Sequence, residues 1–382
     1  MLSLVSLFTD MASEMLYPVM PVYLKKIGFS VLLIGILEGI AEAVAGLSKS
    51  YFGKLSDVSG KRVPFVQFGY GLSAISKPLL ATFIYPVWVF LCRTLDRVGK
   101  GIRTGARDAL LSDEATPETK ATVFGFHRSM DTLGAVLGPA LALVFLYYHP
   151  EQYKTLFLIA FIPGVMAIAV TALLRESKKT KPNVTEQSVS FFTFINYWKD
   201  SPLLYKRLLL GLLLFALFNS SDVFLLLKLK QEGMSDTTVI GVYIFYNLVY
   251  ALLAFPVGIL ADILGLKRLY LSGLFAFVFV YVGMSFNGSV YYYLLLFLLY
   301  GYYAAATEGI AKAWISNISE KKDTATAIGT YSGLQSICAL FASAFAGWLW
   351  FGFGAQATFI TTGIMAIWVA IYLWKMPYKV IS

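Results

Sequence analysis

Residues 93–108 read RTLDRVGKGIRTGARD, placing Arg93, Arg97, Lys100 and Arg107 at the spacing of one helical face, with Asp96 and Asp108 interleaved as counter-ions. A row of cations like this offers an anionic solute its counter-charge, provided Asp96 holds Arg97 or Lys100 in place. Two pairs of carboxylates stand one helical turn apart, Asp10 with Glu14 and Glu38 with Glu42. A carboxylate that burial drives toward neutrality and a neighbouring cation discharges is what proton coupling requires. Lys77, His127, Arg128 and Asp131 add charge to apolar surroundings, whereas the second half of the chain contributes only Asp222, Glu308 and polar groups such as Asn219.

The segments that must position these residues are apolar. Of 382 residues, 58% are hydrophobic, only 14% are charged, and mean hydropathy is positive, which excludes an ordinary globular enzyme. A bilayer span needs about 20 mostly apolar residues. Such windows fall at 4–24, 30–48, 64–84, 86–108, 121–148 and 155–174, and again at 208–227, 237–260, 269–286, 290–311, 325–350 and 356–374. The longest polar stretch, 175–207, separates the two sets, and its 190–198 segment could lie along the membrane surface. The first residues, MLSLVSLFTD, read as the start of a spanning helix and not as a removable signal peptide. A charge at bilayer depth costs about 2.5–3.5 kcal/mol on insertion scales, so the fourth window is a functional-site candidate.

The net charge of +9 follows from topology. With both termini cytoplasmic, most Lys and Arg lie on the inner side, and only Lys25, Lys26, Lys154, Lys228 and Lys230 fall outside. No nucleic-acid partner is needed. Cys92 and Cys338 sit in apolar context, His127 and His149 are far apart, and no phosphate loop is present. The expectation is therefore no enzyme, no cofactor and no metal site, with any pumping driven by an ion gradient.

The chain repeats itself. GKLSDVSGKR at 53–62 returns as GILADILGLK at 258–267, matching Gly53, Asp57, Gly60 and Arg62 with Gly258, Asp262, Gly265 and Lys267. A second echo aligns Ala121, Thr122 and Gly125 with Ala325, Thr326 and Gly329. Duplicated six-span halves are a transporter architecture. The organisation expected is an N-terminal bundle over 1–174, a cytoplasmic linker over 175–207 and a C-terminal bundle over 208–382.

These residues resemble the major facilitator superfamily. GKLSDVSGKR is similar to that family's signature loop between its second and third helices, which latches the cytoplasmic side, and this assigns Gly53, Asp57, Gly60, Arg62, Asp262 and Lys267 to a gate. GAVLGP, with Gly134, Gly138 and Pro139, resembles the fifth-helix motif of the family's antiporters; small residues there also let helices pack closely. YPVMP, with Pro18 and Pro21, resembles a first-helix feature of drug:proton antiporters. In the fourth helix Arg93 matches the drug-antiporter arginine, but Asp96 and Arg97 replace its Gln and Gly. That departure suits a polar or anionic solute better than a hydrophobic drug.

The resemblance implies an all-α fold of twelve transmembrane helices in two pseudo-symmetric bundles. It implies alternating access in a multi-pass bacterial inner-membrane protein that is a monomer in its lipid bilayer, with a small-molecule solute and protons as partners. Arg93, Arg97, Lys100, Asn219, Asp222 and Glu308 are the cavity candidates, and Glu14, with Asp10 second, is the proton-coupling candidate. Glu38, Glu42, Lys77, Asp96, Arg128 and Asp131 form the expected ion-pair network, which could equally neutralise itself and only orient helices. Export is favoured. The alternatives are import of an anionic metabolite or metal chelate, and a non-transporting receptor.

Overall fold

The computed structural model describes residues 1–17, 19–20, 23–24, 27–28, 31–176 and 193–377, with backbone alone at 31–43, 47, 193–196 and 236–237. Among these residues the secondary structure is helical and includes no strand. The helices are α1 (Leu2–Glu14), α2 (Val31–Ser59), α3 (Val63–Thr82), α4 (Pro86–Asp113), α5 (Lys120–Tyr148), α6 (Tyr153–Thr171) and α7 (Thr193–Asp200). They continue as α8 (Leu203–Ala216), α9 (Val223–Gln231), α10 (Asp236–Leu264), α11 (Leu266–Met284), α12 (Val290–Ile318) and α13 (Thr324–Lys375).

Local chemistry sets these ends. Ser235 and Ser289 accept from the backbone N–H groups of Thr238 and Tyr292 and so cap α10 and α12. Gly60 (φ 64°) and Gly265 (φ 100°) make the two repeated turns in a region that side-chain-bearing residues avoid. Gly354 (φ 85°) breaks α13 between the two windows expected at 325–350 and 356–374. Among the described residues, six helices are long and apolar enough to cross a membrane by composition, including α5, α6, α11 and α12. The fourth window is a helix too, but its charges keep α4 out of that set.

Contacts divide the chain into two compact units. Unit 1 comprises Met1–Glu114, Met130–Asp200 and Glu320–Gly333; unit 2 comprises Ala115–Ser129, Ser201–Ser319 and Leu334–Ser382. Each sequence half therefore gives one short segment to the other's unit: 115–129 packs with second-half residues, and 320–333 with first-half residues.

In unit 1, α4 is seated between α2 and α3. A Cβ on Gly99 would meet the Gly69 carbonyl oxygen at 2.6 Å, and one on Gly101 would meet Ser48 Cβ at 2.6 Å. Backbones this close carry a charged helix into the unit's interior, where Arg93, Asp96, Arg103, Arg107 and Asp108 are buried.

Candidate functional site

The charges of α4 part into two sets. On the buried side, Asp96 accepts from Lys77 Nζ of α3 at 2.7 Å, and Lys77 also donates to Ser13 of α1 at 3.1 Å. Arg103 lies over the Tyr70 ring at 4.5 Å and donates to Ser73, while Arg107 pairs with Asp108 at 2.8 Å. Each of these cations has an acceptor or ring beside it, as burial requires. Asp96, expected to hold Arg97 or Lys100, accepts from Lys77 one helix away, and Arg93 and Arg97 act on it as neighbouring charges.

On the other side, Lys100 is exposed and Arg97 half-buried. Both cations, together with Arg93 and the carboxylate of Asp131, act on Glu14. Asp10, one turn before Glu14, is hydrogen-bonded to Asp131 and faces Lys100 and Glu14. Ser6 donates to Asp131 as well.

Glycines set this meeting of α1 and α5. A Cβ on Gly134 would lie 3.2 Å from Asp10 Cβ, and one on Gly138 would lie 3.2 Å from the Glu14 carbonyl carbon. Asp131 stands one turn before Gly134 on the same face, so the close approach delivers it to Ser6 and Asp10. Pro139 lies inside α5 directly after Gly138. Asp10, Glu14, Arg93, Arg97, Lys100 and Asp131 thus form one charge cluster within unit 1.

The two repeated turns make a second constellation, built the same way in each unit. In unit 1, Asp57 accepts from the Thr326 backbone N–H at 2.8 Å and the Thr326 hydroxyl at 2.7 Å, in the first turn of α13. In unit 2, Asp262 accepts from the Ala121 and Thr122 N–H groups at 2.9 and 2.7 Å, in the first turn of α5. Each carboxylate satisfies the open N–H groups and positive end of a helix. Gly53 and Gly258 lie in the same relation to their partners: a Cβ on either would meet the carbonyl oxygen of Ala325 or Ala121 at 2.5 Å. Arg62 joins Asp57 at 3.2 Å and also pairs with Asp113, whereas Lys267 donates to the carbonyls of Trp374 and Met376.

The described residues of the expected ion-pair network fall in both units. Arg128 belongs to unit 2, where it pairs with Glu308 and donates to the Tyr250 hydroxyl at 2.6 Å. Lys77 with Asp96, and Asp131 with Asp10, belong to unit 1. Glu308, expected to line a cavity, is engaged by Arg128. Asn219 donates to Tyr303 at 2.9 Å, and Asp222 accepts from Tyr300 at 2.6 Å. The side chains of Glu38 and Glu42, and the residues Pro18 and Pro21, lie outside the described residues.

Sequence reasoning missed the aromatic partners Tyr70, Tyr250, Tyr300 and Tyr303, because a tyrosine in an apolar run carries no positional signal. It also missed Glu176, whose carboxylate accepts from the N–H groups of Arg62 and Val63 at 2.8 and 3.0 Å. Thr326 was within reach, since the second echo had already aligned it with Thr122.

Comparison with known proteins agrees with this architecture. The chain matches the family model described as Major Facilitator Superfamily over residues 2–245 and 223–380. It is 33% identical over 373 residues to an uncharacterized MFS-type transporter of Methanocaldococcus jannaschii, covering 96% of this chain and 92% of that protein. It is 22% identical over 176 residues to citrate exporter 1 of Aspergillus niger, covering 46% of this chain and 33% of the exporter. Among solved structures, the human organic anion transporter MFSD10 superposes with a TM-score of 0.82 at 17% identity, covering 97% of both chains.

Proposed function

Because this chain belongs to the major facilitator superfamily, a family of multi-pass membrane transporters and not of enzymes, we propose that it is a proton-coupled secondary transporter for a small polar or anionic organic solute, working by alternating access. The observation that carries this reading is the unit 1 cluster, in which Glu14 faces Lys100, Arg97 and Arg93. Neighbouring cations favour the ionised carboxylate. An anion seated on Arg97 and Lys100 takes those cations for itself, and Glu14 then binds a proton more readily. Solute and proton therefore bind together. The Asp10–Asp131 hydrogen bond, which joins two carboxyl groups, offers a second place for the proton.

Co-binding fixes what moves with what, and the gradients fix direction. A metabolic anion accumulated in the cell leaves with a proton down its own gradient, which is export by symport and not the antiport of the proteins whose motifs the chain resembles. An inward proton gradient instead drives import, the alternative reading of the sequence. The names of the A. niger citrate exporter and the human organic anion transporter support an anionic solute. In this reading both termini are cytoplasmic and the transporting species is a monomer.

Reconstituted protein with an imposed pH gradient tests this, using labelled tricarboxylate, neutral amino acid and cationic dye in parallel. Tricarboxylate flux that follows the proton gradient is expected. Glu14→Gln should abolish the pH drive while leaving solute exchange intact. Arg97→Lys should weaken anion binding by roughly tenfold, because a point charge lacks the guanidinium fork. Flux of the dye alone, or anion flux indifferent to pH in the wild type, would overturn the reading.

A further inference from the structure

Unit 2 contains a break in what the sequence marks as one spanning segment, 208–227. The helix stops at Ala216 and restarts at Val223. Backbone bonding collapses across the gap: the N–H groups of Phe218 and Asn219 both turn to the Phe215 carbonyl, and that of Ser220 to Phe218. The carbonyl oxygens of Ala216, Leu217, Asn219 and Ser220 consequently have no backbone donor among the described residues. In a membrane protein such backbone is tolerated where it is buried in protein or lines a wet cavity.

The side chains at the break are acceptors as well. Asn219 donates through Nδ2 to Tyr303, while its Oδ1 is buried and has no hydrogen-bond partner. Asp222 is bonded to the Tyr300 hydroxyl, and the charged group acting on it is another carboxylate, Glu308. Arg128, a cation of the same unit, is paired with Glu308. Helix capping does not account for Asp222 either: it precedes α9 in a helical conformation, and its side chain makes no cap hydrogen bond. The break therefore gathers one carboxylate with no paired cation among the described residues, one orphaned amide oxygen and a set of open carbonyls, all oxygen and all close in sequence.

We propose that this break is a sodium site, with Asp222 and Asn219 Oδ1 as side-chain ligands and carbonyl oxygens of 216–220 completing the shell. Oxygen donors without His or Cys select a hard cation. A single formal negative charge matches a monovalent ion, since divalent sites draw on several carboxylates. The C-terminal end of α8 carries the negative end of its helix dipole and adds to the attraction. Unwound carbonyls and half-helix ends at bilayer depth are a recurring way for transporters to hold sodium. The site lies wholly within unit 2 and uses no residue assigned to proton coupling, so the two proposals fail separately.

Binding of labelled 22Na+ to the purified full-length protein tests this, at constant ionic strength with choline as the balancing cation. Saturable binding is expected, displaced by unlabelled sodium and at least tenfold less well by potassium. Asp222→Asn should weaken it by tenfold or more, and Asn219→Ala by several-fold. If Asp222→Asn does not give a monodisperse protein, Asn219→Ala alone decides. Absence of saturable binding to the folded wild type, or binding unchanged in the folded variants, would overturn the assignment.

Discussion

Asp57 and Asp262 occupy equivalent places in the two copies of one motif, and each closes the first turn of a helix from the other half of the sequence. Asp57 is buried and serves three donors, the Thr326 N–H and hydroxyl and the Arg62 guanidinium. Asp262 is half-buried and serves two backbone N–H groups only. The basic residue two positions past the turn glycine has diverged with it. Arg62 reaches Asp57, Asp113 and the Lys321 carbonyl at once, while Lys267 turns away to the end of α13. Duplication kept the cap in both copies, and only the first surrounds it with a charged network. That network also takes in Glu176, which holds the start of α3, and Lys54 with Asp323 at 3.3 Å. The cap is a backbone interaction that any helix start can supply, whereas the network depends on side chains arriving from four separate segments.

The sharpest way to break this comparison is to remove each carboxylate. Asp57→Ala should destabilise the protein by about 3 kcal/mol, combining a lost cap with lost charge-assisted bonds, whereas Asp262→Ala should cost about 1 kcal/mol. Thermal melting of the two variants side by side checks this, and equal losses would mean that Arg62 adds nothing to the first copy. A smaller effect separates the basic residues. Arg62→Lys should cost about 1 kcal/mol because one ammonium cannot serve three acceptors in fixed directions, while Lys267→Arg should stay within about 0.5 kcal/mol. Asp57→Asn retains an acceptor for Thr326 but loses the charge facing Arg62, so it should cost less than Asp57→Ala. Its transport turnover should fall while solute affinity holds. Normal turnover with weakened binding would place Asp57 in the solute's path.

The caps show how much was legible beforehand and where legibility stopped. Both echoes are visible in the sequence, one carrying Asp57 and Asp262 and the other Thr326 and Thr122. Their being the two sides of one contact is not visible, because nothing in a linear offset says that 53–62 meets 320–333 and not its own half. The α4 cluster divides the same way. Its charges and helical spacing could be read directly, and Lys100 and Arg97 act as neighbouring charges on Glu14. The pairing of Asp96 with Lys77 could not, since it depends on how α3 and α4 are turned about their axes where Gly69 and Gly99 touch. Arg128 and Asp131 stand three residues apart and look like one network, yet unit 2 ends at Ser129 and unit 1 resumes at Met130 between them.

What the sequence alone determined is whatever depends on local composition and period: apolar lengths that span a bilayer, the glycine turns at Gly60 and Gly265, the duplicated halves and the family. Hydrophobic length and backbone conformation are properties of a segment, so a segment suffices to read them. What tertiary structure decided is partnership. A buried charge must find an acceptor within about 3 Å, and the helix that supplies it is set by packing between segments far apart in the chain. Tyr300 beside Asp222, Glu308 beside Arg128 and Thr326 above Asp57 are all choices of that kind. The break at 217–222 belongs with them, because an apolar run with Asn219 and Asp222 inside it reads as one helix until the tyrosines of α12 and the opened carbonyls are seen together.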